Sequence, residues 1–270
     1  MMPQIPAYLL SFESTVRALV TIIALSLIWL GAARMPAPAK SRYATAGVLS
    51  AVLIGWLAVA QYLGAANAYF ANTETAVPII LLALLIPLAV AAIAFWQSES
   101  IAMLVSAMPL HWLVAAQVYR VAGGIFLVLW ADGRLPWQFA LPAGIGDVTT
   151  GVVAVIVASL LAQNAIGARR AAYAWCLFGI ADLVVAITMG AMTSPGRPHL
   201  LAFEAPNLLV TSYPLVMVPT FAVPLALMLH GLVLWRLRRG AASAERLAAP
   251  DASRFINNVQ GGRPDCRPPV

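Results

Sequence analysis

Seven stretches of the chain stay apolar for close to 20 residues, with no polar face at helical or strand period, and short polar segments separate them. A helix rising 1.5 Å per residue needs about 20 such residues to cross about 30 Å of hydrocarbon. The pattern predicts membrane-spanning helices over 16–33, 43–65, 76–96, 110–131, 144–163, 171–192 and 209–235. An eighth apolar stretch, 100–108, is too short to span and is closed by Pro109; it predicts a short interfacial helix. Residues 1–240 then form one transmembrane helical domain, an all-α bundle. Residues 241–270, with mixed charge, Gly261-Gly262 and several prolines, are expected to be a disordered tail.

Charge adds an orientation. Arg34, Lys40 and Arg42 lie between the first two runs, Arg169 and Arg170 between the fifth and sixth, and Arg236, Arg238 and Arg239 after the seventh. With seven helices these sets share one side, which the positive-inside rule makes cytoplasmic. The N-terminus is then outside and the tail cytoplasmic. The opposite connections hold Arg134 and Arg197 beside Glu74, Asp132 and Glu204, while the loop at 97–100 has no basic residue. Arg17 before an apolar run and Ala37-Pro38-Ala39 after it resemble a secretory signal, but the three basic residues that follow favour a retained helix.

Composition agrees with the membrane reading: 62% of residues are hydrophobic, 10% are charged, and mean hydropathy is +0.87. The net charge of +6 resides in loops and tail and forms no basic, aromatic-interleaved stripe, so no nucleic-acid partner is expected. The two cysteines imply no disulfide framework. Lys40 is the only lysine among 16 basic residues, and with the alanine-rich runs this suggests a bacterial chain, hence a cytoplasmic (inner) membrane. A lone lysine in a loop also excludes a retinal Schiff base in the last helix.

The chemistry sits in a few intramembrane polar residues. Arg120, Asp147 and Asp182 fall inside the predicted fourth, fifth and sixth spans. A charge there costs about 2.5–3.5 kcal/mol unless it is paired or meets water. Counting from the expected helix ends puts Arg120 and Asp182 about 15 Å deep and Asp147 about 9 Å deep. An Arg120–Asp182 pair is expected, with Asp147 some 6 Å away in depth. Gln117 and Gly124 flank Arg120 by one turn, and Thr150 shares the face of Asp147 with Gly144, Gly151 and Ala154. Pro214, Pro219 and Pro224 break the seventh helix at intervals of five and free the carbonyls of Val210, Leu215 and Thr220, as in helices that line transporter sites.

Two other readings weigh less. Gly144-Ile145-Gly146-Asp147 resembles the short GxGD pattern of intramembrane aspartyl proteases, but the second aspartate, Asp182, follows it in the chain, where that family has its partner before it. His111 and His230, both placed near the cytoplasmic edge, are two histidines on different helices that a haem would need, whereas His199 lies in an outer loop. No cofactor and no metal are expected. The sequence therefore points to a polar cavity among helices four to seven that binds or moves a small solute or a proton, with Arg120, Asp147, Asp182, Gln117 and Thr150 in contact and the proline-broken helix as gate. The alternative is a sensor or assembly subunit with a membrane-protein partner, in which Arg120 and Asp182 are a structural clasp.

Overall fold

The computed structural model describes residues 3–70, 79–196 and 198–248, with the side chains of 240–248 left aside. Among them every regular element is helical. They comprise α1 (Ala7–Arg34), α2 (Ala39–Ala65), α3 (Ile79–Gln97), α4 (Glu99–Ala107), α5 (Leu110–Ala115), a 3-10 segment (Ala116–Gly124), α6 (Ile125–Ala131), α7 (Trp137–Ala162), α8 (Ala168–Thr193) and α9 (Val223–Ala248). Seven helices are long and apolar enough to cross a membrane: α1, α2, α3, the composite Leu110–Ala131, α7, α8 and Val218–Arg239.

Several helices begin earlier than the apolar runs. α1, α2, α5 and α7 start directly after Pro6, Pro38, Pro109 and Pro136, each extended. Proline has no N–H to lose at a helix start, and its fixed φ ends the preceding extended segment. The first helix therefore contains Glu13, which the apolar run excludes, one turn before Arg17. The fifth begins at Trp137 rather than 144, because Pro142, which looks like a boundary, is absorbed inside the helix. The last helix continues to Ala248, so the first residues assigned to the tail are helical; 249–270, like the start of the third run at 76–78, lie outside the described residues.

The basic connections converge at one end of the bundle. Arg34 lies 4.2 Å over the Trp112 ring. Arg169 donates to the Leu237 carbonyl at 2.8 Å, and Arg236 Nη1 donates to the carbonyls of Val105 (2.6 Å), Ser106 and Met108 (2.8 Å), the exposed C-terminal acceptors of α4. The loop at 97–100 thus lacks a basic residue in sequence, and α9 supplies one in space to the short helix that follows it. That helix is capped by Ser98, whose Oγ accepts from the Ile101 amide at 3.3 Å. At the other end, Tyr8 donates to Asp132 at 3.0 Å, and Arg134 donates to the Gln4 carbonyl at 3.1 Å.

Two spans depart from regular α-helix. Nine residues of the fourth form a 3-10 segment, far longer than the three or four usual for that conformation. The seventh was expected to be a helix over 209–235 with three kinks. Instead 212–216 are non-helical after a single 3-10 turn at Leu209–Thr211, and a π turn at Val218–Ala222 leads into α9. Three prolines in this stretch remove too many backbone donors for a helix to continue through it. Pro214 lies in the non-helical stretch, Pro219 is the second residue of the π turn and Pro224 the second of α9. The irregular stretch is not lipid-facing: Asn207, Leu209, Val210, Thr211, Ser212, Leu215, Val216 and Met217 are all buried in protein, where non-helical backbone is tolerated at membrane depth.

Candidate functional site

Arg120 is the hub of a buried network that joins four spans. Its Nε donates to Asp147 Oδ1 of α7 at 2.7 Å, and its Nη2 donates to Asp182 Oδ2 of α8. Its Nη1 donates to the Gly179 carbonyl at 3.3 Å and faces His230 Nε2 of α9, also at 3.3 Å. Four of the five guanidinium N–H groups therefore have named acceptors. The side chains of Arg120, Asp182 and Asp147 are 2%, 6% and 15% exposed, so Asp147 is the carboxylate the surroundings reach most easily.

The expected gap in depth between the carboxylates does not exist. With α7 starting at Trp137, Asp147 lies about 15 Å along the helix, and Asp182 lies about 16 Å before Thr193. The helix begins about four residues before the expected boundary, which adds about 6 Å to the depth of Asp147. Arg120 consequently holds both aspartates at once instead of choosing between them.

The 3-10 geometry decides what surrounds the arginine. At three residues per turn Gln117, Arg120 and Gly123 eclipse one another, so Gly123, rather than Gly124, shares the face of Arg120. A Cβ on Gly123 would overlap the Asp147 carboxylate, and one on Gly146 would overlap that of Asp182. A Cβ on Gly151 would lie 2.7 Å from the Val121 backbone nitrogen, and one on Gly179 2.5 Å from the His230 ring. These glycines let helices and side chains approach to distances that any larger residue forbids.

His230 is the member the sequence reading misplaced. It is fully buried in the middle of the last span rather than at its edge, because that span starts at Val218 and runs to Arg239. Arginine only donates, so Nε2 accepts and the ring proton sits on Nδ1, 3.3 Å from Cys176 Sγ. The thiol in turn donates to the His230 carbonyl at 3.3 Å. Both ring nitrogens thus face protein groups, whereas His111 lies in the first turn of α5 with its ring edge-on to Trp112. Cys176 gave no sequence signal, being one apolar-run residue among many.

Gln117 and Thr150 are each fully buried. The Gln117 amide donates to the Ala226 carbonyl at 3.0 Å, and the Thr150 carbonyl accepts from Trp175 Nε1 at 2.9 Å. Neither side chain hydrogen-bonds to Arg120 among the described residues. Gln117 Oε1 and Thr150 Oγ1 have no hydrogen-bond partner among the described residues.

Two cavities meet at Asp147. The first, of about 70 Å³, also exposes Arg120, Tyr119, Glu13 and Arg17. Arg17 Nη1 lies 2.9 Å from Glu13 Oε2, outside hydrogen-bond alignment, and neither atom has a hydrogen-bond partner among the described residues. The second, of about 110 Å³, runs from Asp147 towards Tyr69 and Phe70 after α2 and Ser194 and Pro195 after α8. Phe126, Asp147, Leu183, Val218 and Val223 line both. The irregular stretch before α9 contributes Leu215 and Met217 to the first and Val210 and Thr211 to the second. No group of three or more His, Cys, Asp or Glu residues at metal-binding proximity occurs among the described residues. As for a protease-like dyad, the two aspartates now lie at one depth, but the guanidinium stands between them and takes an oxygen from each.

The family model described as "Domain of unknown function (DUF8737)" matches residues 77–238, more than half of the chain, and the protein belongs to that family. The matched region contains Arg120, Asp147, Cys176, Asp182 and His230; Glu13 and Arg17 precede it. No curated protein and no solved structure matches the chain.

Proposed function

We propose that this family member is a multi-pass protein of a bacterial cytoplasmic membrane, N-terminus outside and C-terminus cytoplasmic, that binds and moves a proton or a small solute through the cavities around Asp147. The orientation is supported by Arg34, Arg169 and Arg236 meeting at one end of the bundle, as a cytoplasmic face would require. Reporter fusions at successive loops test it; a cytoplasmic N-terminus overturns it.

The observation that carries the function is a charge imbalance at an accessible carboxylate. One guanidinium balances two carboxylates, and the Glu13–Arg17 pair beside them is neutral, so the fully ionised cluster holds an excess of one negative charge. Away from water such an excess is expensive and is relieved by a proton or a cation. Arg120 is already engaged by four acceptors and has little left for an anion. Asp147 Oδ1 is bound to Arg120, while Oδ2 has no hydrogen-bond partner among the described residues and Asp147 borders both cavities. A proton arriving on Asp147 leaves a neutral Arg120–Asp182 pair behind.

Purified protein in liposomes loaded with a pH-sensitive dye tests this. An imposed pH gradient should decay faster than in protein-free liposomes, and Asp147→Asn should slow the decay at least about tenfold, the scale of losing one proton-transfer group. Decay equal in the protein-free, wild-type and variant liposomes would sink the reading.

The saturation of Arg120 also favours a second reading, a non-enzymatic sensor or assembly subunit in which the network only clasps helices. The two separate on Asp147→Asn: a clasp loses melting temperature and shows no flux above protein-free liposomes in either form, and a conducting site loses flux with its melting temperature kept.

A further inference from the structure

The second cavity differs chemically from the first. Among the described residues it carries one carboxylate, Asp147, and the aromatic residues Tyr69, Phe70, Phe126 and Phe139, with aliphatic side chains making most of the remaining wall. Its hydroxyls are few, and that of Thr211 is already donated to the Leu208 carbonyl at 3.1 Å. An inorganic cation needs about six oxygen ligands and would not find them here. An anion meets Asp147, and a neutral apolar ligand leaves that carboxylate unanswered. A compact organic ammonium satisfies both parts, since its charge pairs with the carboxylate and its alkyl groups lie against aromatic faces. At about 110 Å³ the cavity is smaller than the ~150 Å³ apolar cavity that takes benzene, which suits a ligand of about five heavy atoms.

We propose that the cavity between Asp147 and the ends of α2 and α8 binds a small organic ammonium ion, and that this cation and a proton compete for Asp147. The inference rests on the reading of Asp147 as the proton site. The exchange balances: the ammonium enters as a proton leaves, and the charge of the cluster is unchanged. The groups that set the competition are Arg120 from the 3-10 segment, Asp182 from α8, His230 from α9 behind Arg120, and Glu13, Arg17 and Tyr119 across the first cavity. None of these six lines the second cavity, so Asp147 is the charge that the described residues present to the ammonium there.

The test titrates tetramethylammonium chloride into the purified full chain in uncharged detergent, against sodium chloride at equal ionic strength, following melting temperature and proton release to a dye. Saturable stabilisation is expected at pH 8, with about one proton released per cation. Where Asp147 carries the proton, the apparent Kd should weaken about tenfold per pH unit, as competition for one site requires. Asp147→Asn should abolish both cation binding and proton release. Ala186→Leu, which fills the second cavity from α8, should abolish cation binding and leave Asp147-dependent proton uptake in place. The inference is overturned if tetramethylammonium does not saturate while proton uptake persists, if either variant binds it as the wild type does, or if neutral tert-butanol binds equally well. Loss of Asp147-dependent proton uptake in the wild type instead overturns the proton reading beneath it.

Discussion

The third and fourth membrane-length helices look alike as apolar runs and have opposite surroundings in the bundle. α3 has no charged residue, and Leu84 is its one buried residue. The Leu110–Ala131 span buries Leu113, Val114, Gln117, Tyr119, Arg120, Phe126 and Leu129, and its centre is tightened into 3-10 turns. The difference lies in what each helix has for a solvent. α3 presents Leu82, Leu85, Ile86, Val90 and Ile93 outward, and a lipid environment asks of them only that they be apolar. The fourth span buries one face against protein, and its conformation answers to particular neighbours: α7 through Gly151, and the π turn and α9 through the carbonyls of Ala222 and Ala226, which accept from Tyr119 at 3.2 Å and Gln117 at 3.0 Å.

Three substitutions test that contrast, read as melting temperature in detergent. The largest effect is expected for Arg120→Gln, which leaves Asp147 and Asp182 without their counter-ion; breaking a buried pair in this way costs about 3–5 kcal/mol. A melting temperature within a degree of wild type would mean that the network does not hold the bundle. Gly146→Ala comes next, because the added methyl falls on the Asp182 carboxylate and α7 and α8 must part to admit it; overpacking of this kind costs about 1–3 kcal/mol. Should the alanine variant be as stable as the parent, the close approach of the two helices is not what places Asp182. The smallest change is expected for Leu85→Ala on α3, about 54% exposed and outward-facing, within about 0.5 kcal/mol. A loss there as large as that of Gly146→Ala would erase the distinction between the two spans.

The sequence was legible where one physical requirement acts alone. Apolar runs of spanning length give seven helices, since any helix in hydrocarbon must satisfy its backbone internally and cover it with apolar side chains. The short apolar run closed by Pro109 gives α4, while its Ser98 cap is seen only in the structure. An intramembrane Arg120 with Asp182 and Asp147 announces that the three must be paired, because each alone is costly. The ends of helices were less legible: hydropathy begins at the first apolar residue, whereas the helices begin after Pro6 and Pro136, and those few residues moved Asp147 by about 6 Å and brought Glu13 inside the first span beside Arg17.

What only the tertiary structure decided is which groups share a place. No local signal distinguishes a 3-10 turn from an α turn in 116–124, yet that choice puts Gly123 rather than Gly124 beside Asp147. Likewise the unwinding of 212–216 set the depth of His230, and with it the fourth partner of Arg120. The seven helices follow from solvent and chain length, which each segment feels on its own. The network around Arg120 follows from four spans meeting, and the free energy of that meeting belongs to no single segment.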